Sequence, residues 1–167
     1  MGQASPVDAE FVPAVTEVVV RTPVCELLGI EQPIVLAAMV AVPELAGAVS
    51  NAGGLGMLTL TWSTPAGDVV RETAALTDRP FGGNLVLTSD QHRHLDQALE
   101  AGMRIVSLFW GDPVGYVEQV HDAKGVVLHT VGSADEARRA VDSGVDVIVA
   151  QGWDCLLYTS PSPRDTR

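Results

Sequence analysis

VVLHTVGSADEARRAVDSGVDVIVA, residues 126–150, reads as one complete strand, helix and strand unit, and the rest of the chain repeats it. Val126 to Val131 and Val145 to Ala150 are short β-branched and aliphatic runs, the pattern of strands buried on both faces. Between them, Ser133 can cap a helix running to Ser143, with Glu136 three residues on to complete a capping box. Ala134, Ala137, Ala140 and Val141 form an apolar stripe opposite Asp135, Arg138, Arg139 and Asp142, and Gly144 supplies a helix stop.

Working outward, similar apolar runs occur at Ile34 to Ala38, Leu55 to Leu60, Phe81 to Leu87 and Ile105 to Phe109, with starts about 19 to 26 residues apart. Helical spacing fills the intervals at Pro43 to Asn51, Pro65 to Leu76, Asp90 to Ala101 and Val114 to Ala123. Ala52-Gly53, Ala101-Gly102 and Ser143-Gly144 each precede the next strand, a recurrent helix stop that supports a quasi-repeat. The expectation is an α/β chain of about six parallel strands alternating with helices. Pattern alone leaves open a doubly wound sheet or part of a (β/α)8 barrel.

The chain has 167 residues and a net charge of -11, enough length for one domain with a real core. With 21 acidic against 10 basic residues and no basic cluster longer than Arg138-Arg139, nucleic-acid binding is disfavoured. No apolar run approaches the roughly 18 residues of a membrane helix, and the first 20 residues lack a signal-peptide pattern, so the expected location is the cytoplasm. Pro6 stands where a myristoylation signal would need Ser or Thr. Cys25 and Cys155 show neither metal nor redox spacing, and no metal is expected. Residues 1–21 read as an N-terminal tail or lead-in.

In barrels of this kind, chemistry collects at the carboxyl ends of the strands. Those ends carry Met39, Asn84, Trp110 to Pro113, His129-Thr130 and Gln151-Gly152. A dinucleotide-binding Gly-x-Gly-x-x-Gly is missing after the first strand, where Ala37-Ala38-Met39 stands instead. Gly53-Gly54-Leu55-Gly56 falls before the second strand and reads as a helix-to-strand turn at the opposite end. Asn84 and Gln151 are amides within apolar surroundings and need partners. Either they tie loops to strands or they serve a ligand edge that both donates and accepts, such as the pyrimidine side of a flavin. His129 is a weak candidate base, with a hydrogen-bonded strand-end residue as the commoner reading. His92, His94 and His121 read as surface residues. No Ser-His-Asp set, carboxylate pair or His-Glu-x-x-His cluster is visible.

Together LLGI at 27–30, PIVLAAM at 33–39, AVSNAGGLG at 48–56, PFGGNL at 80–85 and VIVAQG at 147–152 resemble the nitronate monooxygenases, formerly 2-nitropropane dioxygenases. The likeness spans about Thr22 to Trp153. It implies an FMN-dependent (β/α)8 barrel that oxidises nitronates or nitroalkanes with O2. Ala37, Ala38 and Met39 would lie against the flavin, and Asn84 and Gln151 would contact FMN. Ala38 departs from the family's usual Ala-Pro-Met. The related flavin barrels that reduce enoyl thioesters are the alternative, while a sugar-phosphate lyase or isomerase would need a catalytic Lys or Glu that the strand ends lack.

The family continues past Gln-Gly to Glu-Ala-Gly-Gly-His, whose histidine is the catalytic base, but here Asp154-Cys155-Leu156-Leu157-Tyr158-Thr159-Ser160 follows Trp153. That tail is a codon-for-codon translation of the transposon-end adapter CTGTCTCTTATACACATCT and its usual extension. The expectation is therefore residues 22–153 as an incomplete flavin barrel, 154–167 as a non-native tail, an inactive fragment, and self-association through its open edges.

Overall fold

In the computed structural model, residues 20–60 and 65–151 are described. A short helix, α1 (Pro23–Leu28), precedes α2 (Pro43–Asn51). The elements then alternate as β1 (Gly56–Thr59), α3 (Ala66–Ala74), β2 (Phe81–Val86), α4 (His92–Glu100), β3 (Ile105–Phe109), α5 (Val114–Asp122), β4 (Val126–Val131), α6 (Ala134–Asp142) and β5 (Val147–Ala150). The five strands form one parallel sheet in the order β1-β2-β3-β4-β5.

That order decides between the two architectures the sequence leaves open. A doubly wound sheet reverses its strand order at a switch point and carries helices on both faces. Here every strand pairs with its sequence neighbour. The principal buried cluster joins Leu58, Leu85, Val106, Leu108 and Val127 of the strands to Ala46, Val70, Leu95 and Val120 of α2 to α5. The other face packs Met57, Ile105 and Leu128 against Leu55 and Ile30, and among the described residues the one helix on it is α1, through Cys25 and Leu28. A sequential parallel sheet with its β/α helices all on one side is a sector of a (β/α)8 barrel.

Alternation along the strands sorts the inner face into rungs. The lowest holds Met57, Gly82, Ile105 and Val126; the next Thr59, Asn84, Ser107, Leu128 and Val147; the third Val86, Phe109, Thr130 and Val149. Helix α1 packs beneath the lowest rung and closes the amino end.

Two features differ from expectation. Ile34 to Ala38 does not form a full strand: it contributes the single parallel bridge Val35 to Leu55. Leu36 N donates to Leu55 O at 2.9 Å, but Met39 N then turns back to Ala37 O at 2.8 Å, a three-residue turn about Ala38 that ends the ladder. Helix α1 was not expected at all, although Pro23 at its first turn and the left-handed Gly29 after its end are the usual start and stop signs. The helices expected in the β/α repeats are all present, their ends within two residues of expectation.

The capping box of α6 forms in altered shape. Ser133 Oγ accepts from Glu136 N at 3.2 Å, while the Glu136 carboxylate accepts from Gly132 N at 2.7 Å, one residue earlier than the usual partner. Residues 1–19 and 152–167, which hold most of the expected N-terminal tail and the adapter-like tail, lie outside the described residues.

Candidate functional site

The carboxyl ends of the strands all open on one rim. At one side, the turn about Ala38 places Ala37 to Met39 next to the end of β1, where Thr59 N donates to Val40 O at 3.2 Å. Ala38 packs against the inner cluster, whereas Met39 is 66% exposed on the rim. Beside them, register aligns Thr59, Asn84 and Ser107 across three adjacent strands on the inner face. Among the described residues, none of these three side chains makes a hydrogen bond, although Ser107 is buried and Asn84 half-buried. Their polar atoms reach solvent, since the buried side-chain atom left without a partner among the described residues is Gln91 Oε1, so the row offers two hydroxyls and an amide on an otherwise apolar inner wall.

Gln151 follows β5, and its backbone N–H donates to Val131 O at 2.9 Å, extending the ladder by one residue. Counting along the strand puts it on the inner face as well, two rungs above the Asn84 row. It lines a hollow of about 500 Å³ together with Phe109, Trp110, Thr130, His129, Glu136 and Arg139. Asn84 is not among the residues of that hollow. The structure therefore sets Asn84 and Gln151 on the same face but at different heights: Asn84 lies within β2, nearer Ala37 to Met39, and Gln151 past the end of β5, two rungs higher and across the sheet.

His129 reaches the hollow that Gln151 lines from the other side of the sheet. It pairs with Leu108 and Ile148, which puts it on the helix-facing side of β4. Its Nδ1–H donates to Leu108 O at 3.1 Å, leaving Nε2 as the unprotonated nitrogen. Burial lowers its pKa below the usual 6.5, against weaker raising effects of the Leu108 bond and the carboxylates of Glu136 and Asp112. Folding thus favours the neutral ring, so the unfolded chain binds the extra proton between the folded pKa and 6.5. Stability is expected to fall as pH drops below 6.5, and His129→Gln to flatten that part of the profile. Urea titrations of both chains from pH 8 to pH 5 check this; parallel profiles count against it.

The other histidines hold surface elements together. His92, exposed at the start of α4, stacks on Tyr116 with centroids 4.0 Å apart and shares a 2.8 Å hydrogen bond with Gln119. His121 meets Asp146 at 2.9 Å, and the same carboxylate accepts from Val127 N. Among the described residues, no group of three His, Cys, Asp or Glu side chains is placed to hold a metal, and no helix is long and apolar enough to cross a membrane.

Thr59 and Ser107 were not singled out from the sequence. Each is one polar residue in an apolar run, and only strand register shows that they flank Asn84.

Comparison with known proteins bears on this rim. Residues 21–98 match the family model described as nitronate monooxygenase. A Mycobacterium tuberculosis protein, (3aS,4S,5R,7aS)-5-hydroxy-7a-methyl-1-oxo-octahydro-1H-indene-4-carboxyl-CoA dehydrogenase, is 33% identical over 147 residues, 84% of this chain and 41% of its own length. The nitronate monooxygenase of Pseudomonas aeruginosa is 52% identical over 63 residues, 35% of this chain and 18% of that protein. Among solved structures, FabK from Thermotoga maritima superposes with a TM-score of 0.74 at 33% identity, covering 78% of this chain and 44% of that one. Nitroalkane oxidase from Streptomyces ansochromogenes gives 0.69 at 27% identity, covering 78% and 48%. The chain spans less than half the length of each of these relatives.

Proposed function

Since this chain belongs to the nitronate monooxygenase family, whose cofactor is FMN, we propose that the whole protein is a flavin-dependent oxidoreductase that oxidises a nitronate or nitroalkane with O2. The observation that carries this reading is the inner-face row Thr59, Asn84 and Ser107, which sets two hydroxyls and an amide side by side on three adjacent strands next to the turned-out backbone of Ala37 to Met39. Hydroxyls and an amide that both donate and accept fit the heteroatom edge of an isoalloxazine, so the residues present suit the group.

When bound, FMN supplies the electron sink between the nitronate and O2. The chain's own residues bind and shield. Asn84 would hold the ring edge from within the sheet, and the backbone of Ala37 to Met39, turned out of the ladder, would supply the neighbouring contact. Gln151 contributes a second amide from across the rim. Met57, Ile105, Leu128 and α1 close the floor and keep water from reaching the ring from below. His129 enters the hollow from the helix-facing side of β4, not from the inner face that carries Asn84. Cytoplasmic location completes the proposal.

A second reading has a specific observation in its favour. The match to the M. tuberculosis dehydrogenase, named for a carboxyl-CoA compound, extends over 147 residues against 63 for the P. aeruginosa nitronate monooxygenase. The alternative substrate is thus a CoA thioester on the same flavin barrel.

The test is to restore the C-terminal portion, purify the protein and record its flavin spectrum and its O2 uptake with propane 2-nitronate. A yellow protein that consumes O2 is expected; a yellow protein silent towards nitronates and active on a CoA thioester favours the second reading, and a colourless one rejects both. Asn84→Leu is expected to weaken FMN binding by about 5- to 150-fold, the equivalent of about 1–3 kcal/mol for a lost buried hydrogen bond. Unchanged affinity would remove Asn84 from the site.

A further inference from the structure

The exit of β3 holds a feature that flavin binding does not account for. Trp110 has φ 59° and Gly111 φ 67°, two successive left-handed residues. For glycine that conformation is free, but a bulky aromatic residue rarely adopts it. Gly111 is fixed by space as well: a Cβ there would stand 2.6 Å from Leu87 Cβ and 2.7 Å from Leu87 O. Leu87 in turn donates its N–H to Phe109 O at 2.9 Å. The two β/α loops thus lock the backbone that forces Trp110 into its position.

That position is a poor one by burial alone, since the indole remains 59% exposed. Its contact is with Phe109, whose ring stacks on it at 4.6 Å between centroids and 26° between planes. Phe109 belongs to the inner-face rung one step above Asn84, and both aromatic rings line the hollow that Gln151 and Thr130 also line. A strained backbone, an exposed indole and an aromatic neighbour leading to the inner face make a surface arranged in advance for something flat or apolar.

We propose that Phe109 and Trp110 form a preset aromatic shelf that receives the non-reacting body of the substrate. The substrate class of the site is then a planar anion, such as a nitronate, attached to an aryl or cyclic group, in preference to a short-chain one. The inference rests on the flavin-barrel reading for the identity of the reacting end. The occupant is a small molecule because the hollow, about 500 Å³, is of ligand size and is continuous with the rim residue Gln151.

The experiment has two arms. In the 167-residue chain, the indole N–H signals of Trp62, Trp110 and Trp153 are followed by NMR, with Trp110→Phe assigning one of them. Phenylacetate, a planar anion with an aryl body, is expected to shift the Trp110 signal saturably, while acetate at equal concentration leaves it in place. In the restored flavoprotein, the ratio of kcat/KM for the nitronate of phenylnitromethane over that of nitroethane is expected to fall about tenfold in Trp110→Ala. Trp110→Gly, which suits the left-handed backbone, provides a second variant that folds and shows the same loss. A Trp110 signal unmoved by phenylacetate, or a ratio unchanged in both variants, overturns the shelf. If the restored protein oxidises no nitronate yet phenylacetate still moves the Trp110 signal, the shelf stands and the nitronate reading falls.

Discussion

Gly56→Ala is expected to lower the melting temperature sharply, because the position has no space for one more carbon. A Cβ built there would lie 1.9 Å from Ala46 O, 2.6 Å from Ala46 C and 2.7 Å from Ser50 Oγ. Two of these atoms are helix backbone and cannot swing aside, so α2 as a whole would have to retreat from β1. The retreat would also break a relay: Gly56 N donates to Ser50 Oγ at 3.1 Å, and Ser50 Oγ donates to Pro80 O at 2.8 Å. Overpacking against a rigid neighbour plus lost buried hydrogen bonds amounts to about 3–5 kcal/mol. Domains are stable by only about 5–15 kcal/mol in total. Far-UV circular dichroism on heating reads the outcome directly, and a melting curve superimposable on the parent's would refute the argument.

The second large effect is expected at Leu85, next to the carboxyl end of β2 on the helix-facing side, with 0% exposure. It belongs to the cluster that joins the strands to α2 to α5. Truncating it to alanine removes transfer free energy and leaves a void that close-packed neighbours fill only in part. Leu85→Ala is expected to lose about 2–5 kcal/mol. In urea the midpoint should fall while the slope stays constant, since the surface exposed on unfolding hardly changes. A loss under about 1 kcal/mol would mean that the helices re-settle onto the sheet, contrary to the packing described.

Much of this fold was legible in the residues, and the reasons are local. Helix α6 announces itself through Ser133, Glu136 and Gly144, and the sheet strands fall in short, mostly apolar runs between the helices. Strand order was not legible, since a parallel run looks the same in an open sheet and in a barrel; the neighbour-to-neighbour pairing resolves it. Helix α1 escaped because six residues hold less than two turns of periodicity. The first strand escaped in the opposite sense. Ile34 to Ala38 has the composition of a ladder, but the turn about Ala38 is set by rim geometry that composition does not express.

The site was legible in outline. Asn84 and Gln151 stand out as amides in apolar runs; Gln151 follows the end of β5, whereas Asn84 lies within β2, two residues before its end. Thr59 and Ser107 gain meaning only beside Asn84, a relation across three strands that no linear spacing records. His129 shows the converse. Its place at a strand end suggested chemistry, yet odd or even position along β4 decides which side of the sheet it serves.

The neighbour-to-neighbour sheet also carries a consequence for how the chain is made. Each strand pairs with the one synthesised just before it, from Gly56 with Phe81 to Leu128 with Val147, so the sheet can grow in step with the ribosome without waiting for a distant partner. Loop closure at such short separations is inexpensive, and topologies rich in near contacts assemble quickly. Helix α1 obeys the opposite schedule. First to emerge, it has no seat until Ile105 and Leu128 follow, so the plug at the base is the last piece to dock although it is the first to be translated. Pulse-labelled hydrogen exchange on stalled nascent chains should find amides of β1 and β2 protected well before those of α1.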